Sequence, residues 1–290
     1  MTAVTLALHA QAQLGEGPRW HATESKLYWV DIARNEVHRF DPMSGLNETR
    51  TFDQPVGCFA FRRSGGLLLA MKDGFVTLPH WDADPQPFGD APLFGKPDLR
   101  FNDGRTDKHG NFWVGSVNTA KSASNAALYR LAPNGTCTLI EGDMLTCNGA
   151  AFSADGAHFC HTDTPSHALR TYDVKGNILA NRQILHQFSY GNGRPDGGSF
   201  DSEGYYSTAL FDGGRVVRLS PTGEVVADVA LPVSRPTMIV FGGDDGRTAF
   251  VTTARIGLDE TALAAQPHAG DIFSFRVDVP GVPEWPFGAG

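Results

Sequence analysis

The sequence predicts an all-β chain closed into a six-bladed β-propeller, and three observations carry that prediction. A turn–strand–strand pattern recurs six times at a spacing of about 40 to 47 residues. Gly and Pro supply 33 and 18 of the 290 residues while charged residues make up only 19%, a composition that suits short strands joined by tight turns. No stretch carries the length and amphipathic period of a convincing helix.

The six strand pairs are legible in order. Tyr28-Trp29-Val30-Asp31 leads to Val37–Asp41, Leu67–Ala70 to Gly74–Leu78, and Phe112–Gly115 to Ala127–Leu131. His158–His161 leads to Ala168–Tyr172, Tyr205–Thr208 to Arg215–Leu219, and Ala249–Thr252 to Asp271–Phe275. Turn signals such as Ser64-Gly65-Gly66, Ala154-Asp155-Gly156 and Pro221-Thr222-Gly223 separate them. One four-stranded sheet cannot bury both of its faces, whereas a ring of such sheets can. The early stretch Val4–His9 is expected to pair with the last unit and close the ring. Asp259–Gln266, inside the last unit, reads as a loop or a short helical turn. Six similar units without a linker favour one domain over residues 1–290 rather than a sandwich pair or a solenoid.

Composition narrows the function. A net charge of −8 disfavours nucleic acid as a partner, because phosphate binding needs clustered Lys and Arg. Cys58, Cys137, Cys147 and Cys160 match neither a zinc ribbon nor a dense disulfide frame, so reduced thiols are expected. Met1–Leu14 has no basic leader with an apolar run, and no segment approaches the ~18 apolar residues of a membrane span. The chain therefore reads as soluble, cytoplasmic and monomeric. There is no Gly-x-Ser-x-Gly elbow, no HExxH and no P-loop. His158 and His161 lie three apart in a strand and point to opposite faces, so they read as strand histidines rather than ligands.

Four polar segments stand at matching places before the first strand of their units: Gly15-Glu16-Gly17-Pro18, Phe101-Asn102-Asp103-Gly104, Cys147-Asn148-Gly149-Ala150 and Pro195-Asp196-Gly197-Gly198. Singly, such Asn-Gly and Asp-Gly pairs are ordinary turn signals. On a ring, equivalent positions converge at one mouth of the axis. The second and sixth units offer Val56-Gly57-Cys58 and Pro236-Thr237-Met238 there, so the pocket has a polar side and an apolar side. Carboxylates with Asn carbonyls make an all-oxygen set that suits a divalent cation: Ca²⁺, Mg²⁺, Mn²⁺, Zn²⁺ or Fe²⁺. Three protein ligands would leave positions open, the pattern of a catalytic rather than a structural metal.

These residues also resemble a known family. Leu14–Pro18 before Tyr28–Ile32, Arg100–Gly104 before Trp113-Val114-Gly115, Asn148-Gly149 before Ser153–Gly156, Pro195-Asp196-Gly197, and Phe241-Gly242-Gly243 with Val251–Arg255 resemble, in order, the SMP-30/gluconolactonase/regucalcin-like family. The resemblance implies a six-bladed propeller with one divalent metal in the central channel, hydrolysing sugar lactones. It maps the metal ligands onto Glu16, Asn148 and Asp196, and substrate or water contacts onto Arg100 and Asn102. Regucalcin-like members carry an acid shortly after the third unit's first strand. Here Gly115–Ala120 has none, and Asn118 is the candidate substitute.

The expected chemistry is metal-assisted opening of an aldonolactone, pentono- or hexono-, to its aldonic acid, with Asp196 as general base and Arg100 and Asn102 orienting the ring. Two other readings use the same frame: a calcium-binding regulatory protein of the regucalcin type without turnover, and a protein-interaction propeller. Neither needs an Arg beside open coordination positions.

Overall fold

The computed structural model of the protein describes residues 3–290. Met1 and Thr2, the start of the segment read for a leader, lie outside them. Strand β1 (Thr5–Leu8) precedes five consecutive four-stranded meanders. The first blade is β2 (Gly15–His21), β3 (Lys26–Asp31), β4 (Glu36–Phe40) and β5 (Asn47–Thr51). The second is β6 (Val56–Phe61), β7 (Leu67–Met71), β8 (Phe75–Leu78) and β9 (Gln86–Phe88). The third is β10 (Leu99–Thr106), β11 (Phe112–Asn118), β12 (Ala126–Leu131) and β13 (Cys137–Met144). The fourth is β14 (Cys147–Phe152), β15 (His158–Asp163), β16 (Ala168–Lys175) and β17 (Ile178–Gln187). The fifth is β18 (Arg194–Phe200), β19 (Tyr206–Phe211), β20 (Arg215–Leu219) and β21 (Val225–Ala230).

The sixth blade has β22 (Pro236–Gly242), β23 (Thr248–Thr253) and β24 (Ile272–Arg276), and takes β1 as its outer strand, with Thr5 opposite Ser274 and Leu6 opposite Phe273. The early stretch thus closes the ring as the sequence predicts. Between β23 and β24, α1 (Glu260–Ala265) is a short helix whose first turn is capped by the Asp259 side chain, accepting from Ala262 N–H. Among the described residues no helix is long and apolar enough to cross a membrane. All four cysteines are unpaired.

The core is divided into six apolar clusters, one at each interface between neighbouring blades. Strand β3 shows how alternation produces this. Tyr28 and Val30 face the second blade, while Leu27 and Trp29 face the sixth. Both faces are dry, so the strand reads as nearly unbroken apolar sequence. Trp29 and Trp113 are about 1% exposed or less, so each contributes at least the roughly 2–3 kcal/mol of a buried large side chain.

The innermost strands β2, β6, β10, β14, β18 and β22 touch one another in ring order around the axis. Glycines permit that approach. A Cβ at Gly57 would lie 2.2 Å from the Phe101 carbonyl oxygen, and one at Gly197 would lie 2.3 Å from the Met238 side chain. The C-terminal segment crosses the far end of the channel. Val282 N–H donates to Phe200 O in the fifth blade and Phe287 N–H to Phe61 O in the second. Between these two anchors, Glu284 pairs with Arg105 and lies 3.6 Å from Arg19.

Candidate functional site

Every innermost strand carries one extra residue against its neighbour. In β2, Gly17 and Pro18 stand opposite one residue between the Glu16–Val30 and Arg19–Tyr28 pairs. Asn102 and Asp103 do so in β10, Gly149 and Ala150 in β14, and Asp196 and Gly197 in β18. The second and sixth blades have shorter versions at Gly57 and Thr237. Such bulges re-aim side chains and end regular pairing, here at one mouth of the channel.

The four polar segments are therefore not equivalent. Glu16 and Asn148 directly precede a bulge glycine with positive φ, 54° at Gly17 and 68° at Gly149, which a side chain would strain. Asn102 and Asp196 occupy the bulge itself. Tyr206 fixes the Gly149 turn by donating its hydroxyl to Gly149 O at 2.7 Å.

A directed chain of hydrogen bonds links the third, fourth and fifth blades. Arg100 Nη1 donates to Asn102 Oδ1 (2.8 Å), and Asn102 Nδ2 to Asn148 Oδ1 (2.6 Å). Asn148 Nδ2 donates to Thr164 Oγ1 (2.9 Å), whose hydroxyl donates to Pro195 O (3.0 Å). A guanidinium can only donate and a carbonyl can only accept, so the two ends fix the sense of every amide between them. Asn148 consequently presents its oxygen, not its nitrogen, on the Asn102 side.

Three buried acids share this region. Burial pushes the Glu16 carboxyl up to about 8, reinforced by the Asp103 charge and opposed by Gly17 N–H, Arg100 and Arg19. Asp196 is raised well above the ordinary carboxylate range by burial, then by the Glu16 and Asp103 charges. Its Oδ1 is buried with no hydrogen-bond partner among the described residues. Asp103, also raised by burial, accepts from Gly104 N–H (2.7 Å) and Ala150 N–H (2.9 Å) and lies 3.8 Å from Arg19. Glu16 and Asp196 thus disfavour ionisation together unless a cation lies between them. Their oxygens with Asn148 Oδ1 make an acceptor-only set, which fits a hard or borderline divalent ion.

Burial lowers Arg100 to about 10, offset by Glu16, Cys58 and Asp196, so it remains a cation at neutral pH. Burial, then Asp103, holds the Cys58 thiol well above its usual value, which leaves it a wall residue rather than a nucleophile. Asn118 lies elsewhere in character. Its Nδ2 donates to Asn125 Oδ1 at 2.8 Å, tying the loop that follows β11. Trp81 packs edge-on to Tyr28, and Trp285 packs against Phe152 near the far end.

Sequence reasoning missed Thr164, Lys121, Arg19, Arg105 and Glu284. Lys121, in the loop tied by Asn118, donates to Thr146 Oγ1 and lies in the field of Arg100 and Asp196. Arg19, one residue past the Glu16 bulge, was legible only as a charge inside a strand that the ring makes dry. Two grooves, about 680 Å³ beside β13 and β17 and about 550 Å³ between the fourth and fifth blades, are lined by none of Glu16, Arg100, Asn102, Asn148 and Asp196.

The chain is 40% identical over 273 residues to a 6-deoxy-6-sulfogluconolactonase of Pseudomonas putida, covering 93% of this chain and 94% of that one. It is 32% identical over 290 residues to regucalcin of Danio rerio, covering 98% of each. The crystal structure of a calcium-binding protein, regucalcin, from Agrobacterium tumefaciens superposes with a TM-score of 0.94 at 24% identity, over 99% of this chain and 97% of that one. That likeness bears out the six-bladed fold. Residues 14–255, which hold every bulge described above, match the SMP-30/Gluconolactonase/LRE-like region, and the chain belongs to that family.

Proposed function

We propose that the protein is a divalent-metal-dependent sugar lactonase that opens an aldonolactone to its aldonic acid, with Glu16, Asn148 and Asp196 holding the metal. The observation that carries this reading is the Asp196 Oδ1 atom, buried and unpartnered beside the raised Glu16 carboxyl and an Asn148 oxygen whose direction is fixed. The relatives named as a sulfogluconolactonase and as regucalcin support the lactone and the metal respectively.

A bound divalent ion would supply Lewis acidity toward the lactone carbonyl and charge for the developing oxyanion. The protein's own residues do the rest. Asp196 takes the proton from the attacking water and returns it to the ring oxygen as the acyl C–O bond breaks, so the step balances without a further reactant. Arg100 orients the ring through guanidinium N–H groups other than the Nη1 that holds Phe101 O and Asn102, and Asn102 keeps that guanidinium and Asn148 in place. Cys58 and Met238 form the apolar wall.

The cations near the mouth, Arg100, Lys121 and Arg194, favour a lactone with an anionic group distal to the carbonyl. The P. putida relative is named for such a sulfonated substrate.

The test is proton release from a panel of aldonolactones, with and without a terminal sulfonate, under excess divalent metal. Turnover of at least one, fastest with the anionic member, is expected. Calcium binding without hydrolysis of any lactone would overturn the reading in favour of a regulatory role.

A further inference from the structure

Away from the channel, three metal-competent side chains meet where the ring is sealed. His9 follows β1, while His268 and Asp271 lie in the turn before β24. Their ligand atoms all fall within 4.8 Å of one another. Both imidazoles present Nδ1 to the same oxygen, Asp271 Oδ2, at 2.8 Å from His9 and 2.9 Å from His268. The rings are 6.1 Å apart and nearly perpendicular, at 83°, so both nitrogens face one point without stacking.

Asp271 itself is fully buried, and its other oxygen accepts from Gln11 N–H at 2.9 Å. Asp31 has the matching task at the end of β3 but spends both oxygens on backbone, accepting from Gln13 and Leu14 N–H. Asp271 needs only one oxygen for that purpose, and the second is given to two histidines. The His side chains are 57% and 47% exposed, which leaves an open approach from solvent.

We propose that His9, His268 and Asp271 form a second metal site, specific for a borderline divalent ion of the Zn²⁺ class and separate from the all-oxygen set in the channel. Two imidazole nitrogens and one carboxylate oxygen select Zn²⁺, Co²⁺ or Ni²⁺ over Ca²⁺ and Mg²⁺. Three ligands leave at least one position for water. Bonds of about 2.0–2.2 Å need donor atoms roughly 3.3 Å apart, so the N–O separations must open by about half an ångström. Side-chain rotation of two half-exposed histidines accomplishes this. Metal binding through Nδ1 leaves the ring proton of each imidazole on Nε2. The ion would clip the end of β1 to the sixth blade, adding a bond across the one seam that the chain closes non-consecutively.

Zn²⁺ titration of the full-length protein by calorimetry, in excess Ca²⁺ to load the channel, tests this, with thermal melts on the same samples. An Asp196→Ala background repeats the titration with the channel set disabled. In both backgrounds one equivalent of Zn²⁺ is expected to bind and raise the melting temperature. His9→Ala and His268→Ala are each expected to weaken that binding at least tenfold and abolish the rise. Both histidines are half-exposed, and Asp271 keeps its bond to Gln11 in either variant, so the melts without Zn²⁺ should match wild type. Zn²⁺ binding that survives both substitutions, or no binding in the Asp196→Ala background, would overturn the site. None of these readouts depends on lactone opening.

Discussion

Asn102 donates its side-chain amide to Oδ1 of Asn148 across 2.6 Å, joining the innermost strands of the third and fourth blades at the channel mouth. Each of the two is held from its far side, Asn102 by Arg100 and Asn148 by Thr164. The direction of the Asn148 oxygen, the atom proposed to meet the metal, is thereby set by its neighbours Asn102 and Thr164.

Thr164 is the removable link in that chain. Thr164→Val keeps the shape but deletes the hydroxyl that accepts from Asn148 and donates to Pro195. The Asn148 Nδ2 then loses its acceptor, and the contact from Asn102 alone is left to aim the Asn148 oxygen. Metal affinity is expected to fall by about 10- to 100-fold, the usual effect of losing a partner behind a ligand. Thr164→Ser should restore it. Calorimetric titration with a divalent ion decides, and an unchanged affinity in Thr164→Val would remove the orienting role.

The far end of the channel offers a stability prediction. Glu284 is 11% exposed and is the carboxylate that the C-terminal segment brings to Arg19 and Arg105. Glu284→Ala leaves two buried guanidiniums short of a counter-charge. The expected loss is on the order of 3 kcal/mol by denaturant unfolding. A loss below about 1 kcal/mol would mean that Asp103 and the backbone carbonyls around Arg19 and Arg105 suffice.

Much of this frame was legible in the sequence. Strand pairs, the closing role of β1 and the four polar segments follow from residue types, because alternation, turns and Glu-Gly or Asn-Gly pairs are local signals. What was not legible is the consequence of the bulges. One extra residue per innermost strand sets Glu16 and Asn148 before a left-handed glycine but Asn102 and Asp196 within the bulge, and that offset depends on the pairing partner. Arg19, Arg105 and Glu284 were hidden for a similar reason, since 179 positions separate Arg105 from Glu284 and only ring closure brings them together. Lys121 and Thr164 belong to segments without periodicity, where nothing in the sequence marks a direction.

Lys121 bears on specificity. Lys121→Ala is expected to raise KM for a lactone with a terminal sulfonate by about tenfold, the worth of one charge-assisted hydrogen bond of about 1.4 kcal/mol, with kcat little changed. KM for a neutral gluconolactone should move less than twofold. Equal effects on both substrates would assign Lys121 to loop structure instead.

His38 gives a pH dependence. It stacks on Trp29 at 3.8 Å, and its Nδ1 lies 2.9 Å from Thr49 Oγ1. Burial, then Arg34, lowers it from 6.5 to about 4, while Glu36 lies 3.3 Å from its Nε2. Below pH 6.5 the unfolded chain takes a proton that the folded protein refuses. Stability is therefore unaffected above that value and declines as pH falls from 6.5 toward 4, by up to about 3 kcal/mol. His38→Gln should show a shallower decline between pH 7 and 5 in denaturant titrations. Parallel curves for the two proteins would contradict the assignment.

Glu16, Asn148 and Asp196 are proposed to hold a divalent ion that the lactone reaction requires. The direct measurement is lactone opening by protein stripped with a chelator and then titrated with divalent metal, for wild type and Asp196→Ala. No turnover is expected in either stripped sample, with full recovery in wild type on adding metal and none in Asp196→Ala. Undiminished turnover in stripped wild type, or recovery in Asp196→Ala, would rule out a required ion at these three residues.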